Sequence, residues 1–445
     1  MKEMDERYVA AVDLGSSAVR LCVACVRGDE VEVVHYGERA SEGVRASLVF
    51  NPQLTASVVG DLVREAEEAL MIHLSQVVVG LPRKDVVQLT ASMKLDRSAP
   101  NEYITREELK DLRSLALDTY PLPDPRKQSI YGVVSQSFEI DEGMTLLERE
   151  VVGTLSSTLE GRFKVFVGRR QGVTALDKIF NGLEIAVTRE YFQPEAVSRA
   201  VLSDVERNGG VALVDFGGGV TSVSVFQGGI LRHYASIPFG GEAITGDIEM
   251  ECALPADLAE KIKVRFGACQ PDKLGGLSEK VLQIRLTDPF TEIPVRYISE
   301  IIDSRCREIV EAVLFYIEES GYANSLRSGI VVTGGSAELT NFVSLFKEMS
   351  GYKVRTGYPR RLFSSSVGLE VFSPSAAAVM GMILCAKDDA LLDFAKDETL
   401  MDSATETAQT EAVSDSDTTE RPGLLHLVWN TIEETALKVY DYIND

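Results

Sequence analysis

Asp13-Leu14-Gly15-Ser16-Ser17 places a carboxylate at the end of an apolar run, directly before a glycine and two hydroxyls. Turn N–H groups and hydroxyls of this kind can donate to phosphate oxygens. The carboxylate can hold Mg²⁺ through water, because that ion keeps much of its hydration shell. One such group is common. A second follows at Asp215-Phe216-Gly217-Gly218-Gly219-Val220-Thr221, again after an apolar run. Three successive glycines admit a phosphate close to the backbone without Cβ clashes. Two facing turns could clamp phosphates from both sides. A third turn, Thr333-Gly334-Gly335-Ser336, follows Ile330-Val-Val and precedes a helix start suited to a base or ribose.

Around the first turn, strands are expected at 8–13, 18–26 and 31–36, separated by Leu14–Ser17 and Arg27-Gly28-Asp29. Helical spacing covers 55–73, and 77–81 reads as a buried strand. The same order recurs at 211–215, 220–226 and 230–237. A repeat of about 200 residues indicates a duplicated domain, not a solenoid. Residues 82–165 carry no glycine-rich phosphate signal and read as an insertion, with strands 86–95 and 130–140 and a helix over 105–119. Thr105-Arg-Glu-Glu108 is a capping-box sequence, and Pro121, Pro123 and Pro125 end the helix.

Residues 387–420 hold eleven acids and two lysines among many Ser, Thr and Ala, so a flexible linker is expected there. Beyond Arg421-Pro-Gly, the residues Leu425, Val428, Trp429, Ile432, Ala436, Val439 and Ile443 recur at steps of three and four. They form one apolar stripe, which includes the chain's only tryptophan.

The formal net charge is −23, which argues against general binding to nucleic acid or anionic lipid. The first residues, MKEMDERYV, lack a signal-peptide core, and no run of about 18 apolar residues exists, so a cytoplasmic location is expected. Of six cysteines only Cys22 and Cys25 are close together. On a strand they point to opposite faces, so small core residues are expected, not a metal pair. His35, His73, His233 and His426 show no ligand spacing, and Arg169-Arg170 and Arg360-Arg361 read as solvated surface.

The three turns in this order resemble the actin, sugar-kinase and heat-shock chaperone ATPase superfamily. Within it the chain is similar to the bacterial cell-division family FtsA. Gln193-Pro194-Glu195-Ala196-Val197 and Ser373-Pro-Ser-Ala-Ala-Ala-Val379 match the superfamily's connecting helices. Ile237-Pro-Phe-Gly240-Gly241-Glu-Ala-Ile-Thr245-Gly-Asp247-Ile248 and Ala259-Glu260-Lys261-Ile262-Lys263 are close to the division family's own motifs. The inserted Tyr131-Gly-Val-Val-Ser-Gln-Ser-Phe-Glu-Ile-Asp141 resembles its peculiar subdomain.

The resemblance implies an α/β fold of duplicated actin-like (ribonuclease H-like) domains. It places lobe 1 at 7–83 and 166–197, the inserted α+β subdomain at 84–165, and lobe 2 at 198–240 and 301–386. A smaller subdomain takes 241–300. A disordered acidic linker (387–422) and an amphipathic membrane-targeting helix (423–443) complete it. It further implies ATP with Mg²⁺, the metal held through water by Asp13 and Asp215. Gly15, Ser16, Ser17, Gly217, Gly218, Gly219 and Thr221 would contact phosphates. Glu260, Lys263, Gly334, Gly335 and Ser336 would contact the nucleoside. Leu425, Val428, Trp429, Ile432, Val439 and Ile443 would meet the membrane. Implied partners are the FtsZ C-terminal peptide on a patch at roughly 240–300, further copies of the chain in filaments, the cytoplasmic membrane surface at the division site, and later division proteins. Nucleic acid is not among them.

Two departures qualify the expectation. The family's second hairpin usually reads Gly-Gly-Gly-Thr-Thr-Asp, whereas Val220 and Ser222 stand here, so binding with slow or absent hydrolysis is expected. The terminal stripe has Arg421 and Lys438 against Glu433, Glu434, Asp441 and Asp445, so lipid adsorption would rest on apolar contact. A sugar-type kinase or phosphatase of the same superfamily is the alternative, but no substrate-facing catalytic carboxylate is identified. Pilus-assembly and cell-shape actin homologues form a third class.

Overall fold

Val9-Ala-Ala-Val12 is covered on both faces, with each side chain at most 2% exposed. A continuous apolar run of this kind fits the middle of a sheet packed on two sides. In the computed structural model, which describes residues 6–95, 97, 102–285 and 291–389, it lies in the strand Glu6–Leu14. That strand pairs antiparallel with Ala18–Arg27, which pairs antiparallel with Glu30–Ala40. On its other side come Gln76–Gly80 and then Ala186–Tyr191, both parallel.

A second sheet repeats the plan. Val211–Phe216 pairs antiparallel with Thr221–Gln227, which pairs with Ile230–Ile237. Ile330–Thr333 and Val354–Thr356 add in parallel on the other side. Numbered within each repeat, both sheets share the order 3-2-1-4-5, and in the first the short strand Ser364–Ser365 adds in parallel beside Glu30–Ala40. Asp13 and Asp215 hold the same place, the last residue but one of the central strand, opposite Arg20 and Ser222. The duplication expected from sequence is therefore present as one topology used twice.

The helices Gln193–Val201 and Ala377–Asp388 cross tightly. A Cβ on Gly381 would come within 2.0 Å of the Ala196 carbonyl oxygen, so only glycine lets the backbones meet there. Both helices begin near the strand ends that carry the glycine turns.

The insertion has its own antiparallel sheet, in the order Val87–Leu95, Leu159–Arg169, Gln128–Ile140, Met144–Leu146. The helix Arg106–Thr119 lays Leu109, Leu112 and Ala116 on it, over an edge-on Phe138–Phe163 pair. Thr105 closes the expected capping box with Glu108. Polar bonds join this sheet to the strand Ile230–Ile237. Gln88 Nε2 lies 2.8 Å from His233 Nδ1, and its Oε1 accepts from the Tyr234 N–H. Gln136 donates to the Leu231 carbonyl, and Lys164 donates to that of Arg232.

The chain divides into two compact units, the first drawn from 1–240, 311–337 and 351–396, the second including 241–310 and 338–350. In the second, Gly241–Cys252, Ala256–Phe266 and Phe342–Ser350 are helices, with a hairpin of Val281–Ile284 and Thr291–Pro294. Its buried apolar residues include Ile244, Ile248, Ile262, Ile298 and Phe346.

All six cysteines are free, five are buried and Cys385 is half-buried. Among the described residues no cluster of His, Cys, Asp and Glu could hold a metal ion. No described helix is long and apolar enough to cross a membrane. The linker and terminal helix expected at 387–443 lie almost wholly outside the described residues.

Candidate nucleotide site

The three glycine turns come together in the first unit. A Cβ on Gly219 would lie 2.6 Å from Ser16 Oγ and 2.8 Å from Ala46 Cα, so the second hairpin abuts the first. Ser16 Oγ accepts from the Ser47 N–H at 2.9 Å, which fixes the neighbouring turn against it. The third turn bears on the second hairpin. Gly334 has φ +90°, and its Cβ would lie 2.5 Å from both Asp215 Oδ1 and the Phe216 carbonyl oxygen. Ser336 Oγ donates to the Gly217 carbonyl at 3.0 Å. Gly15 is buried within its own turn, Ser17 is exposed, Gly218 is half-buried and Gly335 is exposed.

Asp13 and Asp215 are 4% and 7% exposed. Buried carboxylates need a counter-charge and hydrogen bonds. The counter-charge is Arg83, a residue that the sequence reading passed over. Its Nη1 pairs with Asp215 Oδ2. Its backbone is tied at both polar groups. The N–H donates to Ser47 Oγ at 3.0 Å, and the carbonyl accepts from Tyr234 Oη at 2.8 Å. Arg83 Nε is buried without a partner. Burial pushes the Asp13 carboxyl up; Arg83 and then Arg20 pull it back without cancelling the rise. Burial opposes the Arg83 charge, and Asp215 and Asp13 more than restore it. Arg20 Nη1 stands 4.0 Å from Asp13 Oδ2 but is mainly forked on Glu38, at 3.0 and 3.1 Å.

Gln193 Nε2 donates to Asp13 Oδ1 at 3.2 Å, while its Oε1 is buried without a partner. Sequence placed Gln193 only at the start of a connecting helix. Its amide is aimed into the site because a Cβ on Gly80 would lie 2.5 Å from Nε2, so glycine opens that space.

Two expectations need revision. Thr221 is fully buried and its hydroxyl donates to the Phe239 carbonyl at 2.8 Å, so it is not available to a phosphate. Magnesium between Asp13 and Asp215 does not fit the arrangement, because the Arg83 guanidinium already pairs with Asp215 and its charge also acts on Asp13. A Cβ on Gly217 would lie 2.9 Å from Arg83 Nη2, so the cation lies against the second hairpin itself.

Glu260 and Lys263 belong to the second unit, where they pair at 2.7 Å. Lys263 Nζ also donates to the Gly241 carbonyl at 3.0 Å and to Thr245 Oγ1 at 2.8 Å. Thr245 in turn donates to Glu260. The pair is thus preassembled at the N-terminus of the helix Gly241–Cys252. Leu425, Val428, Trp429, Ile432, Val439 and Ile443 lie outside the described residues.

The family model described as FtsA, cell division protein FtsA, matches residues 212–381. The chain is 27% identical over 383 residues to the cell division protein FtsA of Neisseria meningitidis serogroup B, covering 82% of this chain and 90% of that protein. It is 28% identical over 384 residues to that of Pseudomonas aeruginosa, covering 82% and 89%. Among solved structures, the PilM–PilN type IV pilus biogenesis complex matches with a TM-score of 0.59 at 16% identity, over 85% of this chain and 98% of that one. MreB5 of Spiroplasma citri bound to ADP matches at 0.53 and 12%, over 87% and 99%. The structural likeness establishes the actin-like fold, and the curated proteins that the sequence is similar to over most of its length are FtsA proteins of cell division.

Proposed function

We infer that the chain is an actin-like, ATP-binding scaffold of cell division that polymerises on the inner face of the cytoplasmic membrane, tethers FtsZ filaments there and recruits later division proteins. One observation carries the nucleotide part: Gly15–Ser16, Gly217–Gly219 and Gly334–Ser336 meet around one pair of buried carboxylates. The N–H groups of Gly217 and Gly334 are bonded to the Val220 and Pro374 carbonyls, so phosphates would be cradled by the other N–H groups of these turns, and Gly334-Gly335 leaves room for the nucleoside. Val220 is buried and Ser222 sits within the sheet, so neither the missing hydroxyl nor the missing carboxylate of the second hairpin is replaced locally. Hydrolysis is therefore slow or absent.

For the FtsZ peptide, the second unit offers a groove of about 310 Å³ lined by Asp247, Glu251, Tyr297, Ile301, Arg305 and Glu308, among others. Arg305 is held bidentately by Asp247 at 2.7 and 2.8 Å. The remaining carboxylates suit a peptide that brings an apolar anchor flanked by basic side chains.

The reading is tested on purified full-length chain with ATP on a lipid monolayer under the electron microscope. Filaments on the lipid are expected. A 1–420 truncation should lose pelleting with liposomes. Monomers that turn over ATP briskly and pellet with lipid no differently from the truncation would end it.

A further inference from the structure

We propose that Arg83 permanently takes the place of the divalent metal in this nucleotide site, so that the chain binds a nucleoside polyphosphate without magnesium. The inference rests on the nucleotide reading above and specifies the chemistry of that site.

The two carboxylates sit at equivalent ends of the two central strands, where a hydrated metal ion would gather them. Both are nearly sealed from water. A guanidinium is always charged and offers five donors in a plane, so it can serve several oxygens at once. Magnesium instead demands six oxygens in octahedral order and gives up its waters reluctantly. Once the guanidinium lies there, a metal could enter only by expelling it.

Expulsion is opposed by the way Arg83 is anchored. It follows Gly80-Leu81-Pro82, and proline fixes the approach of the chain. Its N–H and carbonyl are held by Ser47 and Tyr234, one on each side. Tyr234 in turn is buried against Phe166 and Phe192. Arg83 as a residue is only 8% exposed. The cation is thus a built part of the site.

The position also suits a ligand. Nη2 faces Gly217, the first residue of the glycine hairpin, and Nε is a buried donor with nothing to bond. A phosphate oxygen cradled by residues 217–219 would meet guanidinium N–H groups where it would otherwise meet metal-bound water. Hydrogen bonds between ionised partners of this kind are short and strong.

The test is titration of the full-length chain with a fluorescent ATP analogue, read by anisotropy, in excess magnesium and in excess EDTA. The expected result is an affinity that changes less than about threefold between the two. Arg83→Gln should bind at least about tenfold more weakly in EDTA and recover with magnesium. A wild-type affinity that falls about tenfold or more on chelation overturns the proposal and leaves the nucleotide reading standing. Nucleotide binding by Arg83→Gln with magnesium, but never by wild type, would overturn the proposal and also end the nucleotide reading for the natural chain. No binding by either under any condition overturns both. The wild-type comparison needs no variant, so it decides even if Arg83→Gln does not fold.

Discussion

Gly334 shows how one missing methyl group can hold a site together. Its φ of +90° is one that other residues adopt only under strain, and a Cβ would meet Asp215 and the Phe216 carbonyl at 2.5 Å. Gly335, its neighbour, has only Ser375 Cβ at 3.6 Å to meet. Gly334→Ala is therefore expected to lower the free energy of unfolding by about 2–4 kcal/mol, and Gly335→Ala by less than about 1 kcal/mol, in urea titrations. Equal effects would mean that the third turn does not press on the second hairpin. The glycines were legible because strand, carboxylate and glycine turn are consecutive in the chain. Arg83 was not legible. Its meaning depends on Asp215, which lies 132 residues away, and its own neighbourhood reads only as the edge of an insertion. Thr221 is hard to read from sequence for a related reason. A hydroxyl beside a glycine turn invites a ligand, but here the carbonyl of Phe239 claims it.

Elements were read best where their pattern is local. The two three-stranded meanders, the helix at Arg106–Thr119 and its cap stand within two residues of expectation, except that the strand expected at 31–36 runs on to Ala40. The strand Leu159–Arg169 and the helix Arg170–Gly182 were not anticipated. Gly172 in the first turn of this helix reads in sequence as a turn residue, but a Cβ there would meet Tyr131 Oη at 2.7 Å and Pro82 at 2.8 Å. Its glycine answers to packing, which sequence alone does not display. The same logic governs the crossing of Gln193–Val201 with Ala377–Asp388. Gly381→Ala must push the two helices apart, because the Ala196 carbonyl would be 2.0 Å from the added carbon. A loss of about 3 kcal/mol or more is expected, with a lower thermal midpoint. Gly246→Ala, in a helix of the second unit with nothing within 4 Å, should instead be neutral or slightly stabilising.

Across the molecule, attachment of the insertion depends on a protonation state. Burial, and then the nearby Lys164, lower His233 to about 4 from an ordinary 6.5. As pH falls below about 6.5 the unfolded chain takes up a proton that the folded one refuses, so stability declines until about pH 4 and then levels. After allowance for solvent screening the loss is about 1–2 kcal/mol. Urea midpoints at pH 7 and pH 5 should therefore move less in His233→Gln than in wild type. Matching shifts in both would show that the Gln88–His233 contact carries no such linkage. A different property follows from the cysteines. Cys22, Cys25, Cys252 and Cys306 are buried with their thiols pushed up, and Cys385 is pushed up to about 12. Thiolate is the form that alkylating dyes attack. Cys269 is fully buried, so the natural chain offers these reagents a nearly silent background. One cysteine introduced at an open position such as Val264 or Met71, which are 74% and 83% exposed, could carry a spectroscopic reporter without first stripping out the native six.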